Sequence, residues 1–317
     1  MSPFEAVAVM VCLMGAGFLV QRLGWVDGSA TLFISKAVIN LALPCYMFWN
    51  FLGSYDRPRL LALLPLVPVP ALSIFVSLML GVLIARLVAP PGRRGTLAAM
   101  IGFSNTIFIG LPINMLLFGD PGVPYVIVTY IANTTLFWTL GVALIASDDP
   151  AAGRRKGIGL AELGRILSPP FLTFLASCTL VILGFKAPKF LLEASRHLGN
   201  LVTPLSMLFV GISVAQSSFR EIRLDRSAMA LVLGRFLLAP AVLLAVVALA
   251  RSLSGSPLPE LAATVFLVQA CMPAMAQTGI IARAHGADHA WSARMTVLTT
   301  LLSMAVLPVI VLIINSK

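Results

Sequence analysis

Apolar residues follow one another along this chain in runs of about 20, the length at which a helix crosses the hydrocarbon core of a bilayer. The runs predict ten spans, near 3–21, 29–52, 60–88, 96–118, 122–146, 168–185, 190–216, 227–250, 258–282 and 290–314. The connections are short and leave no room for a soluble domain. The longest polar stretch, 147–167, carries Asp148-Asp149-Pro150 and then Arg154-Arg155-Lys156. It divides the chain into a first five-helix repeat at 1–146, a cytoplasmic linker at 147–167 and a second five-helix repeat at 168–317. An odd number of spans per half gives the halves opposite topology. The predicted fold class is therefore all-α integral membrane, ten transmembrane helices arranged as two inverted five-helix repeats.

Two spans depart from the plain pattern. In Ile101–Asp120 the residues Gly102, Ser104, Asn105, Thr106, Gly110, Pro112 and Asn114 fall near the middle of the run. Val268–Gly279, reading VQACMPAMAQTG, interrupts span 9 in the same way. An unpaired polar group in hydrocarbon costs several kcal/mol, so a mere anchor would be Leu, Val and Ile at these depths. Two broken membrane helices in matching places of two halves point to a transporter's binding site. The halves also share sequence traces. Asn40-Leu41-Ala42-Leu43-Pro44 resembles Asn200-Leu201-Val202-Thr203-Pro204, 160 positions later, and Pro70 and Gly110 match Pro240 and Gly279 at offsets of 170 and 169. One insertion in the charged Ser217–Arg226 loop reconciles the two sets.

Composition agrees. The chain is 59% hydrophobic and only 11% charged, with a mean hydropathy of +0.99, against roughly a quarter charged residues in soluble domains. A formal charge of +10 would suggest nucleic acid in a soluble chain. Here it belongs to loops that stay in the cytoplasm, and no nucleic-acid partner is expected. The loops after spans 1, 3, 5, 7 and 9 hold thirteen Lys and Arg, the opposite loops and terminus seven, and Lys36 and Arg235 inside spans complete the 22. The positive-inside rule then places both termini outside the cytoplasm. Cys12, Cys45, Cys178 and Cys271 are widely spaced in apolar runs and form no disulfide or metal pattern. The first run lacks a basic leader and a cleavage site, so it is taken as a span.

The catalytic inventory is thin. All twelve acids sit in loops or near span ends, as do His197, His285 and His289, and no phosphate-binding loop occurs. Enzyme chemistry, a metal site and an ATP-driven pump are disfavoured, and no cofactor is expected. What remains is polarity without acids. A broken helix presents N–H groups and partial positive charge where its second half begins. Ser104, Asn105, Thr106, Asn114, Gln269, Pro273, Gln277 and Thr278 are the candidate substrate-binding residues. Gly102, Gly110, Pro112, Pro273, Asn40, Pro44, Asn200 and Pro204 are the candidate helix-break residues. Lys36 and Arg235, two to three turns into their spans, are expected to snorkel to the headgroups.

The motifs NLALP at Asn40–Pro44, SNTIFIGLP at Ser104–Pro112, QACMPA at Gln269–Ala274 and TTLLSMAVLP at Thr299–Pro308 resemble those of bacterial members of the auxin efflux carrier family. That family includes the plant PIN auxin carriers, and the similarity runs nearly end to end. It implies that helices 4 and 9 cross each other in a transport domain, with spans 1, 2, 6 and 7 as a scaffold. The PIN pattern has Pro-Asn at the first crossing. Here Ser104 replaces the proline and Asn105 keeps the asparagine, which leaves the break point in span 4 open; Pro273 matches the family's second proline.

The expected function is a secondary carrier that moves a small organic anion, such as malonate, malate or an auxin-like acid, across the inner membrane by elevator-like alternating access. A sodium-coupled organic-anion symporter of the bile-acid type is the alternative within transport, and a membrane-embedded sensor the alternative outside it. The expected partners are the small organic anion and the lipid bilayer, with a homodimer left open.

Overall fold

Helix starts in this chain are set by acidic caps and prolines, both of which suit a helix N-terminus. The computed structural model describes residues 3–149, 168–216, 222–253 and 258–315. Most of the linker predicted at 147–167, and the start of the Ser217–Arg226 loop, lie outside the described residues. Helix α1 spans Pro3–Arg22. Asp27 accepts from Ala30 N at 2.9 Å and opens α2, Gly28–Ser54. Asp56 accepts from Arg59 N at 3.0 Å and opens α3, Arg57–Val88. There follow α4 (Arg94–Gly102), α5 (Thr106–Phe118), α6 (Asp120–Ala146), α7 (Pro169–Ile182) and α8 (Lys189–Ala215). Asp225 caps α9 (Arg226–Leu253) by accepting from Ala228 N at 2.8 Å. The remaining helices are α10 (Glu260–Ala270), α11 (Thr278–Ala284) and α12 (His289–Asn315).

Among the described residues the structure is all-helical, without a strand, and seven helices are long and apolar enough to cross a membrane. The predicted spans at 96–118 and 258–282 miss that length because each is split, into α4 and α5 and into α10 and α11. The span predicted at 168–185 is shorter than expected. Its helix ends at Ile182, and Gly184 takes φ +71, a left-handed conformation that stops a helix.

Helices α1, α2, α7 and α8 pack mainly on one another, and α3, α4, α6, α9, α11 and α12 form a second group. Within the first group α1 and α8 meet backbone to backbone. A β-carbon on Gly17 would come within 2.9 Å of Leu208 Cα, and one on Gly211 within 2.8 Å of Met14 C. Small residues permit such approach, and dispersion rather than water exclusion rewards it inside a bilayer. Large apolar side chains such as Leu19, Phe33, Leu87 and Leu237 face outward, as lipid contact requires.

Several predicted breaks turn out to be wide turns. Val38–Ala42, Thr106–Gly110 and Gly234–Leu238 are single π-turns, and Pro44, Pro112 and Pro240 each follow two residues later. Proline lacks a donor and crowds the carbonyl four residues back. Widening the turn by one residue relieves both faults without ending the helix. The expectation of breaks at Pro44, Gly110 and Pro112 is therefore corrected: α2 and α5 run on through them. Asn40 lies exposed within that wide turn, through which the helix also continues. In α8 a turn at Asn200-Leu201 does interrupt the helix, and Pro204 sits in the first turn of the part that restarts at Val202.

One ion cluster ties the second group together on the side where α4, α9 and α12 begin. Arg93 donates from Nε to Asp288 Oδ2 at 2.7 Å and from Nη1 to Asp225 Oδ2 at 3.3 Å, with its guanidinium over the Trp291 ring. Asp288 also caps α12 by accepting from Trp291 N at 2.9 Å. Partial burial pushes the Asp288 carboxyl up, but the Trp291 N–H and Arg93 outweigh it and hold it below the usual carboxylate range. A carboxyl whose folded pKa is depressed stabilises the fold above its unfolded pKa, and that contribution is lost as pH falls through the folded value. Replacing Asp288 by Ala should therefore lower the melting temperature at neutral pH, the cap alone contributing about 1 kcal/mol. The gap between parent and variant should close as the pH drops below about 4, as read from melting curves in detergent across pH.

Candidate functional site

The chain leaves the helix at Phe103, whose φ of −104 and ψ of 130 are extended, and re-enters it after Asn105. An extended peptide inside a bilayer must find partners for its backbone groups. Here the partner is the other break. Asn105 N donates to Pro273 O at 2.8 Å and Met275 N to Phe103 O at 3.1 Å, with Ser104 and Ala274 paired antiparallel. The two broken segments cross there as a minimal two-strand ladder.

Side chains satisfy the ladder's outer edges. Asn133 of α6 grips the Ser104 peptide from both ends, its Oδ1 accepting from Ser104 N at 3.1 Å and its Nδ2 donating to Ser104 O at 3.2 Å. Thr299 Oγ1 of α12 accepts from Ala274 N at 3.3 Å on the other edge. Helix α4 is held from behind by Asp148, a buried carboxylate after α6 that accepts from Gly95 N at 2.8 Å and Thr96 N at 2.7 Å. That capping sets the depth at which α4 ends.

Helix α5 begins at the crossing. The first N–H groups of a helix have no partner within it. Thr106 N is taken by Ser104 O at 2.9 Å and Phe108 N by Asn105 Oδ1 at 3.2 Å. With Oδ1 engaged as the cap, Nδ2 is the half of the Asn105 amide left for a ligand. Asn105 borders two cavities. One, of about 100 Å³, lies between the two helix groups and is walled by Ser104, Thr106 and Gln277 at the crossing, Tyr130 and Thr134 on α6, and Leu43 on α2. The other, of about 230 Å³, lies toward α8 and α12, with Ser213, Thr296 and Thr300 on its wall. Among the described residues neither is lined by a carboxylate or a basic side chain. Both offer neutral hydroxyl and amide groups on an apolar wall, which suits a small ligand whose charge is met by the positive end of a helix.

The family described as membrane transport protein matches residues 2–311, nearly the whole chain. A protein of Methanocaldococcus jannaschii described as an uncharacterized transporter is 26% identical over 227 residues, covering 69% of this chain and 71% of that relative. The chain belongs to this family of auxin efflux carrier-like transporters. It is accordingly a multi-pass membrane transport protein and not an enzyme.

In this transporter four of the eight candidate ligands, Ser104, Asn105, Thr106 and Gln277, stand around the first cavity. The other four do not border it. Asn114 is buried and its Nδ2 donates to Gly110 O at 2.6 Å, tying its own helix. Gln269 lies across Gly110, where a β-carbon would come within 2.9 Å of its Nε2, and it donates weakly to Thr106 O at 3.4 Å. Pro273 contributes its carbonyl to the crossing, and Thr278 is buried in the first turn of α11. Gly102 ends α4, so the first break falls just after it, at Phe103–Asn105. Sequence reasoning passed over Asn133, Thr299, Tyr130 and Thr134. Asn133-Thr134 carried a signal, a polar pair in the middle of a long apolar run.

Proposed function

We propose that the protein is a secondary carrier for a small organic anion, working by alternating access at the crossing of two broken helices. The observation that carries this reading is Asn105. It starts α5, borders two cavities at once and offers a neutral donor beside a helix N-terminus, where an anion is favoured without a counter-charged side chain. The split helices supply spans 4 and 9 of a ten-helix fold in two inverted repeats. The crossing has matching parts from each half, because Asn133 of α6 and Thr299 of α12 serve the two outer edges of one ladder.

Both cavities are bordered by residues near helix ends that the charge count assigns to the cytoplasm, Ser168 in the first and Ser213 in the second. At the opposite face Tyr46 of α2 donates to Asp120 Oδ1 at 2.6 Å, fastening one helix group to the other. Open cavities on one face and a fastened seam on the other describe an inward-facing carrier. The group of α1, α2, α7 and α8 is then the scaffold, in the inner membrane of the cell.

Flux in sealed proteoliposomes tests the reading. Malonate, malate and indole acetate are offered in turn, and saturable uptake of at least one is expected; no uptake of any carboxylate would sink it. Orientation is tested separately. With both termini outside the cytoplasm, an alkaline phosphatase fused to the C-terminus should be active and a fluorescent protein there dark. The reverse pattern would reject the placement of the termini outside the cytoplasm.

A further inference from the structure

Among the described residues one cation lies fully inside the protein, and it lines neither of the two cavities. Arg235, on the π-turn of α9, is 1% exposed. The expectation that it snorkels is corrected by this burial, whereas Lys36 is exposed. Its Nη1 donates to Ile101 O at 2.6 Å and its Nη2 to Ala270 O. Those carbonyls belong to the ends of α4 and α10, so the guanidinium joins the negative ends of both broken helices just before they cross. Among the described residues no carboxylate pairs with it.

The surroundings are those of a cation site. A gap of about 20 Å³ beside Arg235 is lined by Ser73, Ser77, Thr129 and Gln269. Ser77 Oγ and Gln269 Oε1 are buried there without a hydrogen-bond partner, as is Arg235 Nε. Carbonyls at half-helix C-termini, with hydroxyl and amide oxygens, are the groups that hold a coupling Na⁺ in carriers built from broken helices. In this chain a guanidinium already occupies their midst. Ser104 borders both this gap and the first anion cavity, so the charge stands one residue behind the place where the substrate's carboxylate would sit.

We propose that Arg235 is a tethered counter-cation: it fills from within the chain the position a transported cation would take, and it supplies positive potential to an anion cavity that has no basic side chain among the described residues. Transport then needs neither Na⁺ nor K⁺. The transport part rests on the organic-anion reading above; the cation-site part does not.

Melting temperatures of the purified protein in detergent decide the cation site without any substrate. A ligand that binds only the folded state raises the melting temperature. The parent should melt alike in sodium, potassium and choline chloride at equal ionic strength. Arg235→Ala should melt lower in choline and recover by several degrees with sodium or millimolar methylguanidinium, while Arg235→Lys should stay indifferent to the cation. Sodium raising the parent's melting temperature over choline would overturn the proposal. So would a folded Arg235→Ala that ignores every cation. If Arg235→Ala does not fold, Arg235→Met, which keeps the length and loses the charge, is compared with Arg235→Lys. Equal melting temperatures for these two would also overturn it, and a higher one for Lys is the expected result. Malonate flux in proteoliposomes is the second arm, expected to be unchanged for the parent when choline replaces sodium. Absence of flux with any carboxylate would strike the organic-anion reading and leave the melting results to judge Arg235.

Discussion

Replacing Asn105 by alanine is expected to weaken the apparent affinity for the transported anion ten- to a hundredfold. The side chain does two separable things. Its Oδ1 caps α5 through Phe108 N, and the residue borders both cavities, with Nδ2 as its donor. Losing the cap costs about 1 kcal/mol of stability. Losing a hydrogen bond to a charged ligand costs about 1.5–3 kcal/mol of binding, which is the stated range in affinity. Asn105→Asp separates the two roles. A carboxylate caps a helix N-terminus as well as an amide does and is favoured by the dipole, so its melting temperature should match or exceed the parent's. Yet it has no donor and brings a negative charge against the substrate's own, so its transport should be the poorer of the two. Flux and melting curves on both variants read the split. An Asn105→Ala that folds and transports like the parent would remove Asn105 from the site.

The largest loss of stability is expected at Asn133. Its amide satisfies both backbone groups of Ser104, an extended peptide in the middle of the membrane. Asn133→Ala leaves the buried Ser104 N–H without a partner, at about 1–3 kcal/mol, and leaves Ser104 O with the Thr106 N–H alone. Asn133→Asp still accepts from Ser104 N but sets a second acceptor against Ser104 O, so it should be no better. Both should depress the melting temperature far more than Thr299→Val, which removes one longer bond to Ala274 N and a back-bond to carbonyls of its own helix that are already paired. Melting temperature and size-exclusion profile are the measurements. If Asn133→Ala melts within a degree or two of the parent, the crossing is held by something other than its side chains.

These two residues mark how far the sequence could be read. The spans, the two interruptions and Asn105 itself were visible because a polar or helix-breaking residue in an apolar run is conspicuous locally. What Asn133 and Thr299 do was not visible, since their partners are 29 and 25 positions away in sequence. A polar residue in a long apolar run announces that it needs a partner, not which one. Arg235 misled for a related reason. Its depth along α9 suggested a side chain able to reach the headgroups, but depth along one helix says nothing of carbonyls offered by two others. Asp148 read as a loop acid and became the cap of α4, across 53 positions. The prolines misled in the opposite sense. Pro44 and Pro112 announce a defect, and one extra residue in the preceding turn absorbs it. Only four of eight candidate ligands reached the first cavity, because residue type and depth carry no record of azimuth around the helix.

The contact of α1 with α8 bears on how motion in this protein can be watched. Where Gly17 and Gly211 let two backbones touch, no rotamer intervenes to be rearranged, and the pair behaves as one strut. Cys12, exposed on α1 close to that contact, is thus a natural attachment point for a spectroscopic label in a fixed frame. A distance measured from it to a second label on α12 would change only by what α12 and its group do.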